Sequence, residues 1–239
     1  MNPSAVFLTA EWRRLAIVNY EASPDLLQRF LPRGVELDLW QGRCLVSVVG
    51  FQFRDTRLRG IPIPFHRNFP EVNLRFYVRR RAGDEVRRGV VFIRELVPRR
   101  AIALVARALY NEPYLAVPMT GSDDGARVQY AWTHAPGPGR VAVTTEGLPS
   151  LPSPDSEEAF IVEHYWGYTR QRDGGTLEYQ VEHPPWRVWR GVAGEFQGDI
   201  DALYGSEFRP VLEASPVSAL VAEGSPIRVR HGVPLRHSS

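Results

Sequence analysis

Glu71-Val72-Asn73-Leu74-Arg75-Phe76-Tyr77-Val78-Arg79-Arg80-Arg81 and, past Gly83-Asp84, Val86-Arg87-Arg88-Gly89-Val90-Val91-Phe92-Ile93-Arg94-Glu95-Leu96-Val97 are the two runs that decide the fold. Each is rich in β-branched and aromatic residues, and a glycine-containing turn lies between them. The pattern predicts a long β-hairpin over residues 71–97. Working outward, residues 35–40 and 43–53 read as two more strands joined across Gln41-Gly42, and residues 15–20 as another. Ser23-Pro24-Asp25 caps a short helix carrying Leu26, Leu27, Phe30 and Leu31, which Pro32-Arg33-Gly34 stops. The proline-punctuated residues 60–70 are too apolar to project into solvent and are expected to pack over the body.

Downstream, Pro98-Arg99-Arg100 opens a predicted helix through Tyr110, with Ile102, Val105, Ala106 and Leu109 at helical spacing. Strands are predicted near 114–119, 127–133, 140–145, 165–171, 176–182 and 186–196, with short helices near 156–163 and 199–204. Strands joined by tight turns and interrupted by one substantial helix favour a mainly β fold, an antiparallel barrel or sandwich, over a βαβ architecture. Closure into a barrel also removes exposed strand edges. One domain is expected over residues 1–224, with 225–239 as a loosely held tail.

Composition narrows the function classes. The charged share of 23% and apolar share of 44% are ordinary for a globular chain of 239 residues. No apolar run approaches the roughly 20 residues of a membrane helix. The first residues lack the basic start and apolar stretch of a secretory signal, so a cytoplasmic location without membrane partners is expected. Cys44, followed by Leu45, Val46 and Val48, reads as a core residue. The net charge of +2 is small, and Arg alternates with Glu and Asp, which argues against a nucleic-acid partner. All 29 basic residues are arginine; lysine is absent. A guanidinium stays protonated and cannot form an imine, so lysine Schiff-base chemistry is excluded.

Three segments place charges among strand-core residues. Glu71, Asn73 and Arg75 fall on one strand face by period-two spacing; Arg94-Glu95 follows on the partner strand; Tyr110-Asn111-Glu112-Pro113-Tyr114 closes the long helix. Buried charges need partners. Either Glu71, Arg75, Arg94 and Glu95 form structural ion pairs, or one arginine is free to grip an anion while a glutamate serves as acid or base. His66, His164 and His183 lack metal-motif spacing, and His164 beside Glu163 reads as a helix-end pair; neither metal nor cofactor is expected. A nucleophile elbow, a P-loop and a dinucleotide fingerprint are all missing from the sequence.

At these segments the sequence resembles the YqjF-like family of conserved bacterial proteins in the acetoacetate decarboxylase-like superfamily. The resemblance rests on Phe7-Leu8-Thr9-Ala10-Glu11-Trp12-Arg13, Val48-Val49-Gly50-Phe51, Pro64-Phe65-His66-Arg67, residues 69–78, and Tyr110-Asn111-Glu112-Pro113-Tyr114. It implies a closed β cone with outer helices and an internal pocket. It also implies that Glu71 is the counterpart of the decarboxylase glutamate and Arg94-Glu95 of its arginine-glutamate pair. The lysine pair of the decarboxylases belongs in the stretch ending at Leu109-Tyr110-Asn111-Glu112-Pro113, and it is missing.

The expectation is therefore a pocket for a small organic acid or carbonyl compound, with Arg75 or Arg94 as anion anchor, Glu71 as acid/base and Tyr110 or Tyr114 as proton donor. Asn73, Glu95, His66 and Asn111 complete the expected ligand-binding set. If the protein is an enzyme, lyase- or isomerase-type proton transfer suits these residues. The alternatives are a non-catalytic sensor using the same pocket and a homo-oligomer with Trp40, Trp186 and Trp189 at its contacts.

Overall fold

The predicted hairpin is present in the computed structural model, which describes residues 5–62, 64–99, 111–135 and 137–235. In chain order the strands of the first half are β1 (Val6–Ala22), β2 (Glu36–Leu37), β3 (Cys44–Leu58), β4 (Ile61–Pro62), β5 (Phe69–Ala82), β6 (Glu85–Val97) and β7 (Tyr114–Ala116). Those of the second half are β8 (Met119–Asp123), β9 (Arg127–His134), β10 (Gly137–Thr145), β11 (Trp166–Arg170), β12 (Thr176–Glu182), β13 (Val188–Gln197), β14 (Ser218–Arg230) and β15 (Val233–Pro234). Short helices α1 (Pro24–Gln28), α2 (Glu157–Val162), α3 (Ile200–Tyr204) and α4 (Arg209–Leu212) lie between them. Side chains of Ser23, Ser156 and Asp199 accept a backbone N–H at the starts of α1, α2 and α3, satisfying donors that a helix leaves open there.

The hydrogen-bonded path β12-β11-β6-β5-β3-β1-β14 returns to β12 through Val181 opposite Val229, so seven strands form a ring; β13, β10, β9 and β8 continue from β14 as a second layer. Among the described residues pairing is antiparallel except at β6, which runs parallel to β11 and to β7. The expectation of an all-antiparallel sheet is corrected at those two places, because the chain leaves β6 and comes back alongside it by longer connections.

Ring strands are apolar on both faces because each face is covered. On β3, Val49, Phe51 and Phe53 join one buried cluster with Leu15, Ile17, Phe69, Tyr77, Phe160 and Trp186. The alternate residues Val46 and Val48 join a second cluster with Val128, Tyr130, Trp132, Leu203 and Phe208 of the outer layer. At roughly 1.5–3 kcal/mol for each fully buried large apolar side chain, both interfaces contribute strongly to folding.

Several expectations are corrected. Residues 225–235 are no loose tail: β14 runs on to Arg230 beside β1 and β12, and β15 pairs with β12. Residues 35–40 supply only the two-residue β2, which pairs with β5 rather than β3, although Trp40 and Arg43 do pair across the expected Gln41-Gly42 turn. The loop over residues 60–70 packs only in part: Phe69 is buried, but Ile61 is 70% and Phe65 89% exposed. Trp186 is buried, stacked on His183 and bonded to Ser225, so it is no surface contact residue. The helix predicted through Tyr110 lies outside the described residues. Among the described residues no helix is long and apolar enough to cross a membrane.

Candidate functional site

Strand register gathers one acidic cluster. On β5, Glu71 and Asn73 point the same way; Asn73 is opposite Glu95 of β6, and Glu95 is opposite Tyr114 of β7. The turn before β7 brings in Glu112. Glu71, Asn73 and Glu95 are each 2% exposed and Glu112 6%. Asn73 Nδ2 donates to Glu71 Oε1 at 3.2 Å, and the Tyr114 hydroxyl donates to Glu71 Oε2 at 3.2 Å. Glu112 Oε1 accepts from Thr169 of β11 at 2.5 Å and from Tyr179 of β12 at 2.9 Å.

No arginine or histidine is among the partners of these carboxyls in the described residues, and burial sets their protonation. Burial pushes Glu71 up to about 8 against the hydrogen bonds from Asn73 and Tyr114, and the Glu112 charge adds to the rise. Burial likewise pushes Glu112 up to about 7. Glu95 stands well above the ordinary carboxylate range, through burial and the charges of Glu112 and Glu71; burial among the same acids also raises the Tyr114 phenol. Groups this close share protons collectively. Among the described residues no three His, Cys, Asp or Glu side chains converge tightly enough to hold a metal ion.

These side chains line one part of a cavity of about 350 Å³ inside the ring. Its other walls are mainly apolar, including Val49, Phe51, Phe53, Val90, Phe92 and Trp166. Arg75 also lines it, two positions beyond Asn73. Its Nη2 donates to the Ile161 carbonyl at 3.4 Å, its guanidinium lies 5.7 Å from the Tyr77 ring centre, and its buried Nε has no partner among the described residues. It forms no ion pair with any described carboxylate. His66 reaches the wall from the exposed loop, its Nδ1 2.7 Å from the Pro64 carbonyl.

The expected structural ion pairs among Glu71, Arg75 and Glu95 do not form. Arg94 is not in the cavity: it extends from the opposite face of β6, and its Nε donates to the Leu203 carbonyl at 2.8 Å. A bulge explains the geometry. Leu74 is opposite Arg94 but Arg75 is opposite Phe92, leaving Ile93 as an extra residue. Glu95 and Phe92 therefore both face the cavity while Arg94 and Ile93 turn away. Asn111 holds a left-handed turn (φ 55°), donates to the Arg170 carbonyl and accepts from Arg172, and is not part of the lining. Tyr110 lies outside the described residues.

Sequence reading missed a second polar group on the wall. His164, expected as a helix-end partner of Glu163, instead places Nε2 3.2 Å from Asp38 Oδ2, which also accepts from Arg88 Nε at 2.7 Å. Asp38 is 126 residues away in the chain, so spacing gave no signal of the pair. Tyr179 and Thr169, which hold Glu112, were equally silent because they sit in ordinary alternating strands.

A seven-stranded ring enclosing an acid-lined cavity defines the acetoacetate decarboxylase-like fold class. The enclosing architecture aligns with the crystal structure of acetoacetate decarboxylase from Legionella pneumophila at TM-score 0.69 and 15% identity, over 99% of this chain and 90% of that one. The enduracididine biosynthesis enzyme MppR complexed with pyruvate aligns at TM-score 0.66 and 14% identity, over 100% and 93%. Within that fold, the chain belongs to the DUF2071 family of uncharacterized conserved proteins, whose model matches residues 9–226. It is 26% identical to the uncharacterized protein YqjF of Bacillus subtilis, over 80% of this chain and 79% of that protein.

Proposed function

We propose that the cavity is the active site of a cytoplasmic enzyme performing non-covalent acid/base chemistry, of lyase or isomerase type, on a small organic acid or carbonyl compound. The observation that carries this reading is the cluster of Glu71, Glu95, Glu112 and Tyr114, with no cation among its partners in the described residues, at one part of a mainly apolar cavity, and Arg75, with no carboxylate partner among the described residues, elsewhere on its wall. On this reading the ring acts as a closed barrel that excludes water from the ligand. Arg75, not Arg94, anchors a carboxylate.

Burial raises both Glu71 and Glu112 above the ordinary carboxylate range, so the pair holds a shared proton near neutral pH. Whichever carboxyl holds it can give a proton to a carbonyl oxygen, and the ionised one can take a proton from the adjacent carbon. Together they move one proton on and one off, converting a ketone to its enol without a covalent intermediate. The fold neighbours supply a consistent ligand class, since one is named for acetoacetate and another holds pyruvate, both oxo acids. The absence of lysine separates this chain from any lysine imine route.

The test is deuterium incorporation beside the carbonyl, followed by NMR in D2O with a panel of short 2-oxo and 3-oxo acids. Wild-type protein is expected to accelerate exchange for some members, and Glu71→Gln to reduce it at least tenfold while remaining folded. Equal rates in wild type and Glu71→Gln, or no protein-dependent exchange with any acid, would overturn the reading.

A further inference from the structure

The cavity's second polar group is built as carefully as the first. His164 is held by Asp38, whose carboxylate is in turn fixed by Arg88. The imidazole packs against Tyr77 at 4.8 Å and Phe160 at 5.1 Å between ring centres, and its side chain is 1% exposed. Bonding to a carboxylate requires Nε2 to carry the hydrogen, which leaves Nδ1 as a bare acceptor. That Nδ1 is buried with no partner among the described residues, on a side chain that lines the cavity. Burial, together with the charges of Arg88 and Arg75, pushes the imidazole down to about 4 despite the pull of Asp38, so it is neutral at physiological pH.

Arg75 contributes the complementary feature, an Nε–H donor that is also buried without a partner. One wall region therefore offers a cationic donor and, beside it, a neutral acceptor fixed in one tautomer. A bare carboxylate satisfies only the first, because it has no hydrogen to give. A buried acceptor left unmatched keeps the full cost of its desolvation, so a ligand that supplies an O–H here is favoured over one that does not.

We infer that the ligand is a hydroxy acid, with its carboxylate on Arg75 and a nearby hydroxyl donating to Nδ1 of His164. Asp38 acts as the positioning residue that keeps Nδ1 free of hydrogen. This rests on the reading of the cavity as the ligand site, and it names the substrate class more closely: the chain carries an oxidised or ionisable carbon toward Glu71 and a hydroxyl near its acid end. Glu71 and Arg75 are four residues apart on β5, about 13 Å at the usual strand rise, with Asn73 between them on the same face. The ligand is accordingly longer than a three-carbon acid.

The experiment is calorimetric titration of the full chain with matched pairs of four- to eight-carbon carboxylic acids differing only in a 2- or 3-hydroxyl. Wild type is expected to bind at least one hydroxy acid tenfold or more tightly than its deoxy partner. His164→Phe, which preserves the packing against Tyr77 and Phe160, is expected to bind both members alike. In case that variant fails to fold, wild-type protein carrying 15N-histidine gives an independent reading: the Nδ1 signal of His164 shifts with the hydroxy acid and not with the deoxy acid. Acids that bind through Arg75 with no hydroxyl preference and no Nδ1 shift would sink this inference and leave the cavity reading intact. Failure of every acid to bind would remove both.

Discussion

Arg75 and Arg94 stand nearly side by side on paired strands, yet their environments predict opposite responses to the same change. Arg75 has one long bond to a carbonyl and no carboxylate partner among the described residues. Replacing an unpaired, partly buried cation with an apolar side chain is neutral or stabilising. Arg75→Met is expected to keep or raise the thermal midpoint while losing the stabilisation that acids give wild type, about 2.7 kcal/mol at a hundredfold excess over Kd. Arg94→Met removes the donor to the carbonyl of the buried Leu203 and is expected to cost about 1–3 kcal/mol without touching acid binding. Thermal unfolding of both variants with and without ligand checks the contrast, and interchange of the two behaviours would reassign the anchor. The face shared by Glu71, Asn73 and Arg75 was legible because period-two spacing is intrinsic to a strand. The choice between the arginines was not, because it depends on the extra residue Ile93, and a bulge leaves no mark in apolar alternation.

Elements were legible where pattern and turn chemistry agree, as in the hairpin of β5 and β6 and the capped α1, α2 and α3. They were misread where a residue with breaker chemistry serves a close approach. Gly224 read as the end of the ordered domain, yet β14 continues through it and through Pro226. Gly224 has φ 80°, and a Cβ there would lie 2.0 Å from the Trp12 carbonyl oxygen, so the glycine is what lets β14 lie against β1. The same logic gives a test in the pair β11 and β12. Gly167 is opposite Tyr179, and a Cβ on it would sit 2.1 Å from the Tyr179 ring. Gly167→Ala must push that ring aside and pull its hydroxyl from Glu112, at an expected cost of about 1–3 kcal/mol. Tyr179→Phe, which removes the bond and keeps the ring, is expected to cost about 1 kcal/mol. Denaturant unfolding separates the two, and a Gly167→Ala protein as stable as wild type would show that the ring is not held against the glycine.

Across the whole molecule, the buried acids and histidines tilt stability with pH in opposite directions, and their windows are separable. His164 and His183 are both pushed down to about 4 by burial. Their contribution is complete above the unfolded histidine value near 6.5 and is lost as pH falls toward 4. The carboxyls act the other way. Glu71 and Glu112 are raised to about 8 and about 7, so between the ordinary value of 4.5 and those values the folded chain binds more protons than the unfolded one. Stability must then fall as pH rises, by up to about 1.4 kcal/mol per pH unit for each carboxyl still protonated. From pH 6.5 upward the unfolded histidines are at most half protonated and their opposing contribution dwindles, which leaves the carboxyls to set the sign of the slope. The thermal midpoint of wild type is expected to drop by several degrees across that interval, at about 2–4 °C per kcal/mol for a chain of this size. Glu71→Gln and Glu112→Gln are expected to flatten the slope, because a neutral amide removes the ionisation and keeps most of the hydrogen bonds. A wild-type midpoint independent of pH from 6.5 to 8 would show that the cluster is already ionised in the fold, and the proton donor assigned to the pair of Glu71 and Glu112 would then have to be sought elsewhere on the cavity wall.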